Sequence, residues 1–369
     1  MEKNNDFLIE NKHLEDTLNI LNKEVLNYIN KRKEITEYIL DYRKNAIEEY
    51  RDDEDKLIEY FDHERYMKEQ AFASIDKKLK ELTTLKSSPY FGKINFIDSN
   101  FDDEEEMYIG RFGVIPEGDF EPLIVDWRAP IASLFYHGSL GEAYYTAPDG
   151  KVKTDILKRR QIIVKKSELK GIFDSEVDIK DEILQEVLSN NSSEKLKDIV
   201  MTIQKEQDEI IRKERTKNIV VNGVAGSGKT TIALHRVAYL LYNYRKELED
   251  KVLILGPNHI FMEYISQVLP SLGESKVKQQ TFLDFAAEQL EEPIEIAGFE
   301  EYLDALVSGN KQIVEDTKYK NSTKIIDDLD ILIRNMDLNY FKIEPAKYFG
   351  EEVVGVDEIK EMFEKHYAY

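Results

Sequence analysis

The residues with the clearest chemistry in this sequence form the segment 223–230, which reads GVAGSGKT. It matches the full G-x-x-x-x-G-K-[ST] pattern of a phosphate-binding loop (P-loop), in which glycines let successive backbone N–H groups approach phosphate oxygens without a clashing Cβ. In such a loop, Lys229 bridges the β- and γ-phosphate oxygens and the Thr230 hydroxyl coordinates Mg²⁺. The predicted nucleotide-binding residues of this loop are Gly223, Gly226, Ser227, Gly228, Lys229, Thr230 and Thr231. We expect Lys229 and Thr230 to act in catalysis, and Thr230 to be the metal ligand.

A P-loop lies between a strand and a helix, and both flanks have the expected pattern. Residues 218–222 (NIVVN) are a short β-branched run typical of a fully buried parallel strand. Residues 231–242 carry apolar side chains at helical spacing, and 251–256 (KVLILG) are predicted to be the next parallel strand. The sequence therefore predicts an α/β fold with a P-loop NTPase domain over residues 180–290, including the helices that precede the loop.

Residues 1–87 are predicted to form an antiparallel coiled-coil arm. The first 86 residues contain neither Gly nor Pro, and apolar residues recur at steps of four and three, as in Leu14, Leu18, Leu21 and Val25. Two such stretches separated by an acidic segment favour a helical hairpin, although two long helices folded onto the body of the protein would show the same pattern. The acidic residues at the tip of the predicted arm are Asp52, Asp53, Glu54 and Asp55.

Residues 88–179 are predicted to form a small β-rich unit, because Pro and Gly punctuate short aromatic and β-branched runs there. The clearest element is a hairpin that joins 143–147 to 152–157 across a Pro-Asp-Gly turn. The only tryptophan, Trp127, is expected to pack in the core. The sequence alone assigns no role to the segment around it, 126–130 (DWRAP).

The composition bounds the class of protein. The 51 basic and 73 acidic residues give a net charge of −22, which argues against a protein whose whole surface grips nucleic acid. Any contact with DNA or RNA is therefore expected to be local. The absence of cysteine excludes disulfides and thiolate chemistry and fits a cytoplasmic protein. No apolar run approaches the roughly 18 residues that a membrane span needs.

Several motifs around the P-loop resemble those of superfamily 1 helicases of the UvrD/Rep type. Residues 203–207 (IQKEQ) resemble the family's Leu-Asn-x-x-Gln element, whose last Gln reads the adenine edge, so the resemblance implies that Gln207 binds the adenine of ATP. Residues 235–238 (HRVA) and 281–286 (TFLDFA) are similar to the family's His-Arg-Ile-Ala and Thr-Phe-His-x-Phe-Ala segments. Residues 257–258 (PN) take the place of a strand-end motif that touches single-stranded nucleic acid.

This resemblance implies ATP and Mg²⁺ as cofactors and a first RecA-like domain around the P-loop. Thr231 departs from the pattern, because many family members have an Arg there that helps to hold the phosphates. A working ATPase of this class also needs a Walker B Asp-Glu pair after a buried strand, and an arginine from a second RecA-like domain. The sole candidate, 353–358 (VVGVDE), is broken by Gly355, and we expect Asp357 to be a helix N-cap instead.

The last stretch, residues 291–369, shows apolar residues at helical spacing and is predicted to be a helical insertion in the first RecA-like domain. We therefore expect the chain to be the N-terminal half of a longer protein, with a partial RecA-like domain and a truncated inserted domain. We expect this fragment alone to hydrolyse little ATP.

In combination, the predicted arm, the segments 89–94 (PYFGKI) and 126–130, and the P-loop region resemble the HelD-type helicase-like factors that bind bacterial RNA polymerase. The resemblance implies that the arm enters the secondary channel of the polymerase and that ATP turnover is coupled to release of the polymerase from nucleic acid. We hypothesise that the acidic tip lies near the active-site magnesium of the polymerase.

Two other functions compete with this interpretation. One is a UvrD/Rep-type helicase that unwinds DNA and whose N-terminal arm is incidental. The other is a coiled-coil interaction protein in which nucleotide is a structural switch, as in chromosome-maintenance ATPases. In those proteins the P-loop precedes the coiled coil, whereas here it follows.

Overall fold

The structure is a computed structural model. The residues that it describes are 2–49, 54–99, 103–136, 140–147, 150–174, 203–248, 250–274, 277–290, 303–304, 306–309, 311–334 and 343–367. The chain separates into two compact units, Met1–Phe285 and Ala286–Tyr369. Within the described residues, no helix has the length and apolar character needed to cross a membrane.

Two long helices open the first unit, α1 (Glu2–Glu49) and α2 (Glu54–Ser87). They run antiparallel, because Leu21 of α1 packs with Leu82 of α2, whereas Arg32, further along α1, pairs with the earlier Asp76 at 3.1 Å. The two helices of the predicted hairpin are therefore present, and coiled-coil packing along their length stays a prediction.

The predicted acidic tip falls where these helices meet. Asp52 and Asp53 lie outside the described residues, and so do the side chains of Glu54 and Asp55. The position of these carboxylates stays a prediction.

The buried side chains of both helices lie at the end that joins the rest of the unit. Leu21, Leu82 and Leu85 are fully buried in one cluster with Ile124. Beyond Glu24, no described side chain of α1 is buried. The root of the helix pair is thus fixed by hydrophobic packing, at roughly 1.5–3 kcal/mol for each buried leucine.

A six-stranded sheet follows, with the order β3-β2-β1-β5-β4 and with β6 also paired to β5. Its strands are β1 (Gly92–Asp98), β2 (Glu104–Gly110), β3 (Val125–Asp126), β4 (Gly141–Ala147), β5 (Gly150–Lys165) and β6 (Glu168–Asp174). Pairing is antiparallel except between β2 and β3. Ala147 pairs with Gly150, which confirms the predicted hairpin, although Pro148 and Asp149 of its turn lie outside the described residues.

After β3, a 3-10 turn (Pro130–Ala132) and a short helix, α3 (Ser133–Tyr136), close one end of the sheet. The main core lies between the sheet and the helices that come later in this unit, and it includes Phe96 and Leu134. Trp127 is fully buried in this core, so its predicted core position is confirmed.

The rest of the first unit is helical with a small parallel sheet. Its elements are α4 (Lys205–Ile211), α5 (Lys229–Asn243), α6 (Arg245–Leu248), β7 (Leu253–Gly256), α7 (His259–Ser271), β8 (Lys278–Thr281) and α8 (Phe282–Glu288), of which α8 runs past the unit boundary. Strands β7 and β8 pair in parallel. The strand expected at 251–256 is therefore present, and its partner is β8.

The buried strand expected at residues 218–222 does not form. These residues have no regular secondary structure, and the side chain of Val220 is 87% exposed. A fully buried parallel strand needs neighbours on both edges and cover on both faces. Among the described strands none pairs with this segment, so its apolar residues have no ladder to join.

The second unit is mainly helical, as expected for 291–369, and adds a small hairpin. Its larger elements are α9 (Lys311–Lys320), α10 (Lys324–Arg334), β9 (Ala346–Tyr348), β10 (Glu351–Val354) and α11 (Val356–Tyr367). Strands β9 and β10 pair antiparallel.

This hairpin and the helix after it show whether Asp357 follows a buried strand, as a Walker B residue would. Strand β10 is not a buried parallel strand, since Val353 is 63% exposed. Helix α11 begins at Val356, which puts Asp357 in its first turn and leaves the N-cap position to Gly355. The Walker B interpretation fails here. The N-cap expectation is off by two residues, although the helix dipole still stabilises a carboxylate in the first turn.

Candidate nucleotide-binding site

The P-loop leads directly into α5. Gly226 and Gly228 have φ angles of 81° and 82°, a left-handed conformation that glycine adopts without strain. A Cβ at either position would meet no atom within 4 Å, so open space surrounds this turn. Helix α5 starts at Lys229, and the first N–H groups of a helix have no partner within it. Together with the helix dipole they form a cradle suited to an anion.

Lys229 closes the loop on itself. Its Nζ donates to the carbonyl oxygens of Gly223 at 2.8 Å and Val224 at 2.6 Å. A phosphate group that enters the cradle would exchange with these two carbonyls for the ammonium group. Thr230 follows in the first turn of α5, as predicted for a residue that reaches Mg²⁺. The loop residues therefore fit a nucleoside triphosphate with its metal ion.

Gln207, the residue implied to read adenine, lies in the first turn of α4. Its Oε1 accepts a hydrogen bond from the backbone N–H of Gln204 at 3.2 Å, and the side chain is partly exposed. An amide group offers an acceptor oxygen with two lone pairs and two N–H donors. It therefore keeps the capacity for a paired contact with an adenine edge.

Arg236 holds α4 against α5. Its guanidinium donates to four backbone carbonyls at the end of α4 and just after it, those of Ile210, Ile211, Lys213 and Glu214, at 2.8–3.1 Å. The last carbonyls of a helix have no intrahelical partner, and a cation there is favoured by the dipole. One side chain thus fixes the helix that carries Gln207 relative to the helix that begins at Lys229.

Arg212 links α4 to the DWRAP segment. Its Nε donates to Asp208 Oδ1 at 2.7 Å, while Nη1 and Nη2 donate to the carbonyls of Ala129 at 3.0 Å and Trp127 at 2.6 Å. The side chains of Arg212 and Asp208 are 10% and 2% exposed. Desolvated ion pairs of this kind stabilise only when the remaining polar atoms are also satisfied, and the two carbonyls satisfy Nη1 and Nη2 of Arg212.

Arg128 anchors the same segment from the other side. Its Nε and Nη2 donate to the two carboxylate oxygens of Asp126 at 2.9 and 2.7 Å, and its Nη1 donates to Leu272 O and to Glu274 Oε1. Burial opposes the charge of Arg128, but Asp126 and Glu274 outweigh burial and raise its pKa. Residues 126–130 are thus the junction between the sheet and the P-loop region, a role that the sequence did not reveal.

Trp127 faces the P-loop helix through His235. The ring centroids are 5.3 Å apart at an interplanar angle of 61°, and both side chains are at most 1% exposed. His235 Nδ1 lies 2.7 Å from the carbonyl oxygen of Thr231, and because a carbonyl only accepts, Nδ1 carries the proton. Burial lowers the pKa of His235 to about 4, so the ring is neutral near pH 7 and Nε2 is a bare acceptor.

Two polar atoms of this pair have no hydrogen-bond partner in the part of the chain that the structure describes. They are Trp127 Nε1 and His235 Nε2. An unsatisfied buried group costs roughly 1–3 kcal/mol, so a complementary donor and acceptor left side by side need an explanation.

Several polar residues lie together where the parallel strands β7 and β8 end. Gly256 pairs with Thr281 in parallel register, so the residues that follow each strand emerge together. Asn258 Oδ1 accepts from the backbone N–H of Phe261 at 2.9 Å and caps α7. Asp284 Oδ2 accepts from the Thr281 hydroxyl at 2.6 Å and from its N–H, and these bonds lower the pKa of Asp284.

Two families of helicase domain match different parts of this chain. Residues 203–366 match the UvrD/REP helicase N-terminal domain. Residues 9–188 match the N-terminal domain of DNA helicase IV HelD. The chain is therefore a HelD-type, UvrD/Rep-like helicase N-terminal region, which confirms the resemblance inferred from its motifs. No curated protein is significantly similar to it.

Proposed function

We propose that the chain is the ATP-binding N-terminal part of a superfamily 1 helicase-like motor that binds bacterial RNA polymerase and couples ATP turnover to its release from nucleic acid. The observation that carries the nucleotide part is the turn at Gly226 and Gly228, which leads into a helix that begins with Lys229. Gln207 lies on a helix that Arg236 holds against this one.

We propose the following roles for these residues. The first-turn N–H groups of α5 bind phosphate oxygens, Lys229 binds the β- and γ-phosphates, and Gln207 binds the adenine edge. Thr230 holds Mg²⁺, which when bound neutralises charge that develops on the phosphates. The part of the chain described offers Asp357 no Walker B position, so we propose that ATP turnover by this chain alone is low.

Nucleotide binding can be tested with lysine variants. In equilibrium dialysis with ATP and Mg²⁺, Lys229→Ala should lose binding. Lys217→Ala removes a solvent-exposed lysine from just before the loop and should keep it. Equal ATP binding by both variants and the unmodified chain would refute the P-loop site.

The proposal that the chain binds RNA polymerase is supported by the match to the HelD N-terminal domain and by the net charge of the chain. A chain with net charge −22 complements a basic channel in a protein partner better than it complements a nucleic acid duplex. Leu21, Leu82 and Leu85 anchor the root of the helix pair against Ile124, just before β3, which supports a function for the helices as a projecting element.

The acidic tip is tested by removing its charge and asking for polymerase. The full chain would be bait in bacterial lysate, with Asp52→Asn, Asp53→Asn, Glu54→Gln and Asp55→Asn combined. A matched control removes four exposed carboxylates of the second unit by the changes Glu315→Gln, Glu351→Gln, Glu352→Gln and Glu358→Gln. The tip variant should lose polymerase subunits and the control should keep them. Unchanged recovery by the tip variant would contradict the proposal.

A DNA helicase remains the second candidate because of the edge after β7 and β8. Ile260 is 80% exposed and Phe282 is 65% exposed there, beside the polar groups of Asn258 and Asp284. The exposed ring of Phe282 suits stacking with a base of single-stranded nucleic acid, and Ile260 adds apolar contact beside it. Duplex unwinding by the whole protein in the absence of polymerase would favour this function.

A further inference from the structure

Trp127 offers a hydrogen-bond donor and His235 an acceptor, but the two rings are not hydrogen-bonded to each other. An indole N–H can only donate, and the Nε2 atom of this neutral imidazole can only accept. Both atoms are buried, both lack a partner among the described residues, and no bond joins them although the ring centroids are 5.3 Å apart. A movement that brings these two atoms within hydrogen-bond distance would satisfy both.

We infer that Trp127 and His235 form a nucleotide-responsive contact, in which the Trp127 indole N–H donates to His235 Nε2 when triphosphate occupies the P-loop. The inference rests on the proposed binding of ATP at that loop. In this scheme Trp127 is a positioning residue, since it acts on the P-loop helix through His235 and touches no nucleotide.

His235 is the member that moves with the P-loop. Its Nδ1 donates to the carbonyl of Thr231, which lies in the first turn of α5 two residues after Lys229. Phosphate binding replaces the carbonyls of Gly223 and Val224 at Lys229 Nζ and engages the N–H groups of that same turn. Because the Thr231 carbonyl belongs to this turn, any adjustment of the turn is carried to the imidazole.

Trp127 is the fixed member. Its backbone N–H donates to Gly110 O at 3.0 Å, and its carbonyl accepts from Arg212 at 2.6 Å. The neighbouring Asp126 and Arg128 are locked together by a bidentate ion pair with side chains at most 5% exposed. The backbone on both sides of the indole is hydrogen-bonded, so an adjustment confined to the first turn of α5 changes the contact between the two rings.

The contact also reaches the root of the helix pair. Strand β3, which ends at the residue before Trp127, pairs with β2. Ile124, just before β3, packs with Leu21 and Leu82. The backbone of β3 thus connects Trp127, which contacts the P-loop helix, to Ile124, which packs at the base of α1 and α2.

The single tryptophan makes this contact directly observable. In a chain labelled with ¹⁵N-tryptophan, one indole N–H resonance reports Trp127 alone. Saturating ATP with Mg²⁺ should shift that proton resonance downfield, since the donor gains a hydrogen bond. The midpoint of the shift should equal the Kd measured by equilibrium dialysis.

Variants separate this contact from a general effect of binding. His235→Phe keeps a buried ring but removes the acceptor, so the ATP-dependent downfield shift should disappear while dialysis still detects ATP. His259→Phe, at a histidine whose side chain is 81% exposed, should leave the shift intact. Lys229→Ala leaves both rings in place and should hold the resonance at its nucleotide-free position.

The outcomes distinguish the contact from the proposed function. If dialysis shows ATP bound to the unmodified chain and the indole resonance does not move, the contact is refuted and ATP binding stands. A downfield shift that persists in His235→Phe also refutes it. If dialysis detects no ATP at all, both the proposed function and this inference fall.

Discussion

Arg212 Nη2 lies 2.6 Å from the carbonyl oxygen of Trp127, so a side chain from the helix before the P-loop holds the backbone of a turn 85 residues earlier in the chain. The same guanidinium neutralises Asp208, whose side chain is 2% exposed. Arg212 therefore joins the HelD-like and UvrD-like parts of the sequence and also satisfies a buried charge.

Replacing Arg212 with methionine should lower the free energy of unfolding by about 3–5 kcal/mol, because Asp208 would lose its buried cation and two carbonyls would lose their donor. Urea unfolding followed by circular dichroism measures this. Arg215→Met is the matched control, since Arg215 pairs with Glu247 at the surface, where such a pair contributes about 0–1 kcal/mol. Similar losses in both variants would show that the buried network does not contribute as argued.

Replacing Arg236 with alanine should reduce the preference for ATP over GTP. The α4 helix that carries Gln207 would lose two hydrogen bonds to its last carbonyls and two to the carbonyls just after it, while the P-loop itself stays intact. Gln207 lies at the other end of this short helix, so a loosened helix would position it less well, and a loss of about 1.4 kcal/mol in adenine binding corresponds to a roughly tenfold change in the ATP/GTP ratio. Competition between the two nucleotides in dialysis gives the ratio. A uniform loss of affinity for both would argue against a role at the base.

Replacing Gly228 with alanine should affect both stability and nucleotide binding. Alanine at a φ of 82° costs about 1–2 kcal/mol of backbone strain. If the turn relaxes to relieve that strain, its N–H groups leave the phosphate cradle and ATP affinity falls about tenfold. Gly118→Ala serves as the control, because Gly118 has a φ of 93° and equally open surroundings outside this site. It should show the loss of stability but no loss of ATP binding.

The buried His235 predicts a pH dependence of stability. Burial lowers its pKa to about 4 in the folded chain, against an ordinary value of 6.5. Above pH 6.5 both states are neutral and its contribution is fully present. As the pH falls from 6.5 through 4, the unfolded state binds a proton that the folded state does not, and the contribution is lost. The difference between the two pKa values corresponds to about 3 kcal/mol.

That dependence is measured by unfolding at a series of pH values between 7 and 4, on the unmodified chain and on His235→Phe. The variant should be less stable at pH 7 but should lose this part of the slope. His259→Phe removes an exposed histidine and should keep it. A slope that survives in His235→Phe would assign the pH dependence to other groups.

The local elements could be predicted from the sequence, and the junction between them could not. The P-loop pattern, the helix after it, the strand at β7 and the two N-terminal helices all follow from spacing within a few turns. Arg236 and Arg212 have backbone carbonyls as acceptors, and any residue can supply a carbonyl. No pattern of side chains therefore marks these contacts in a sequence.

The segment 218–222 has the sequence pattern of a strand but does not form one. Its β-branched residues favour an extended ladder, but a ladder is made by neighbours, and the described strands leave this segment without one. DWRAP stood out in the sequence without a role because its partners Leu272 and Glu274 lie 144 and 146 residues further along. Only the folded chain shows that these charges belong together.

Among the side chains of α1 that the structure describes, the last buried one is Glu24, whereas the helix continues to Glu49. At 1.5 Å per residue, the remaining stretch reaches about 38 Å past its last buried side chain. A rotation of about 5° at the cluster that Leu21 shares with Leu82 displaces the far end by about 3 Å. The helix is a lever that turns about this cluster beside β3, so a tilt too small to disrupt the core produces a movement nearly the size of a methyl group.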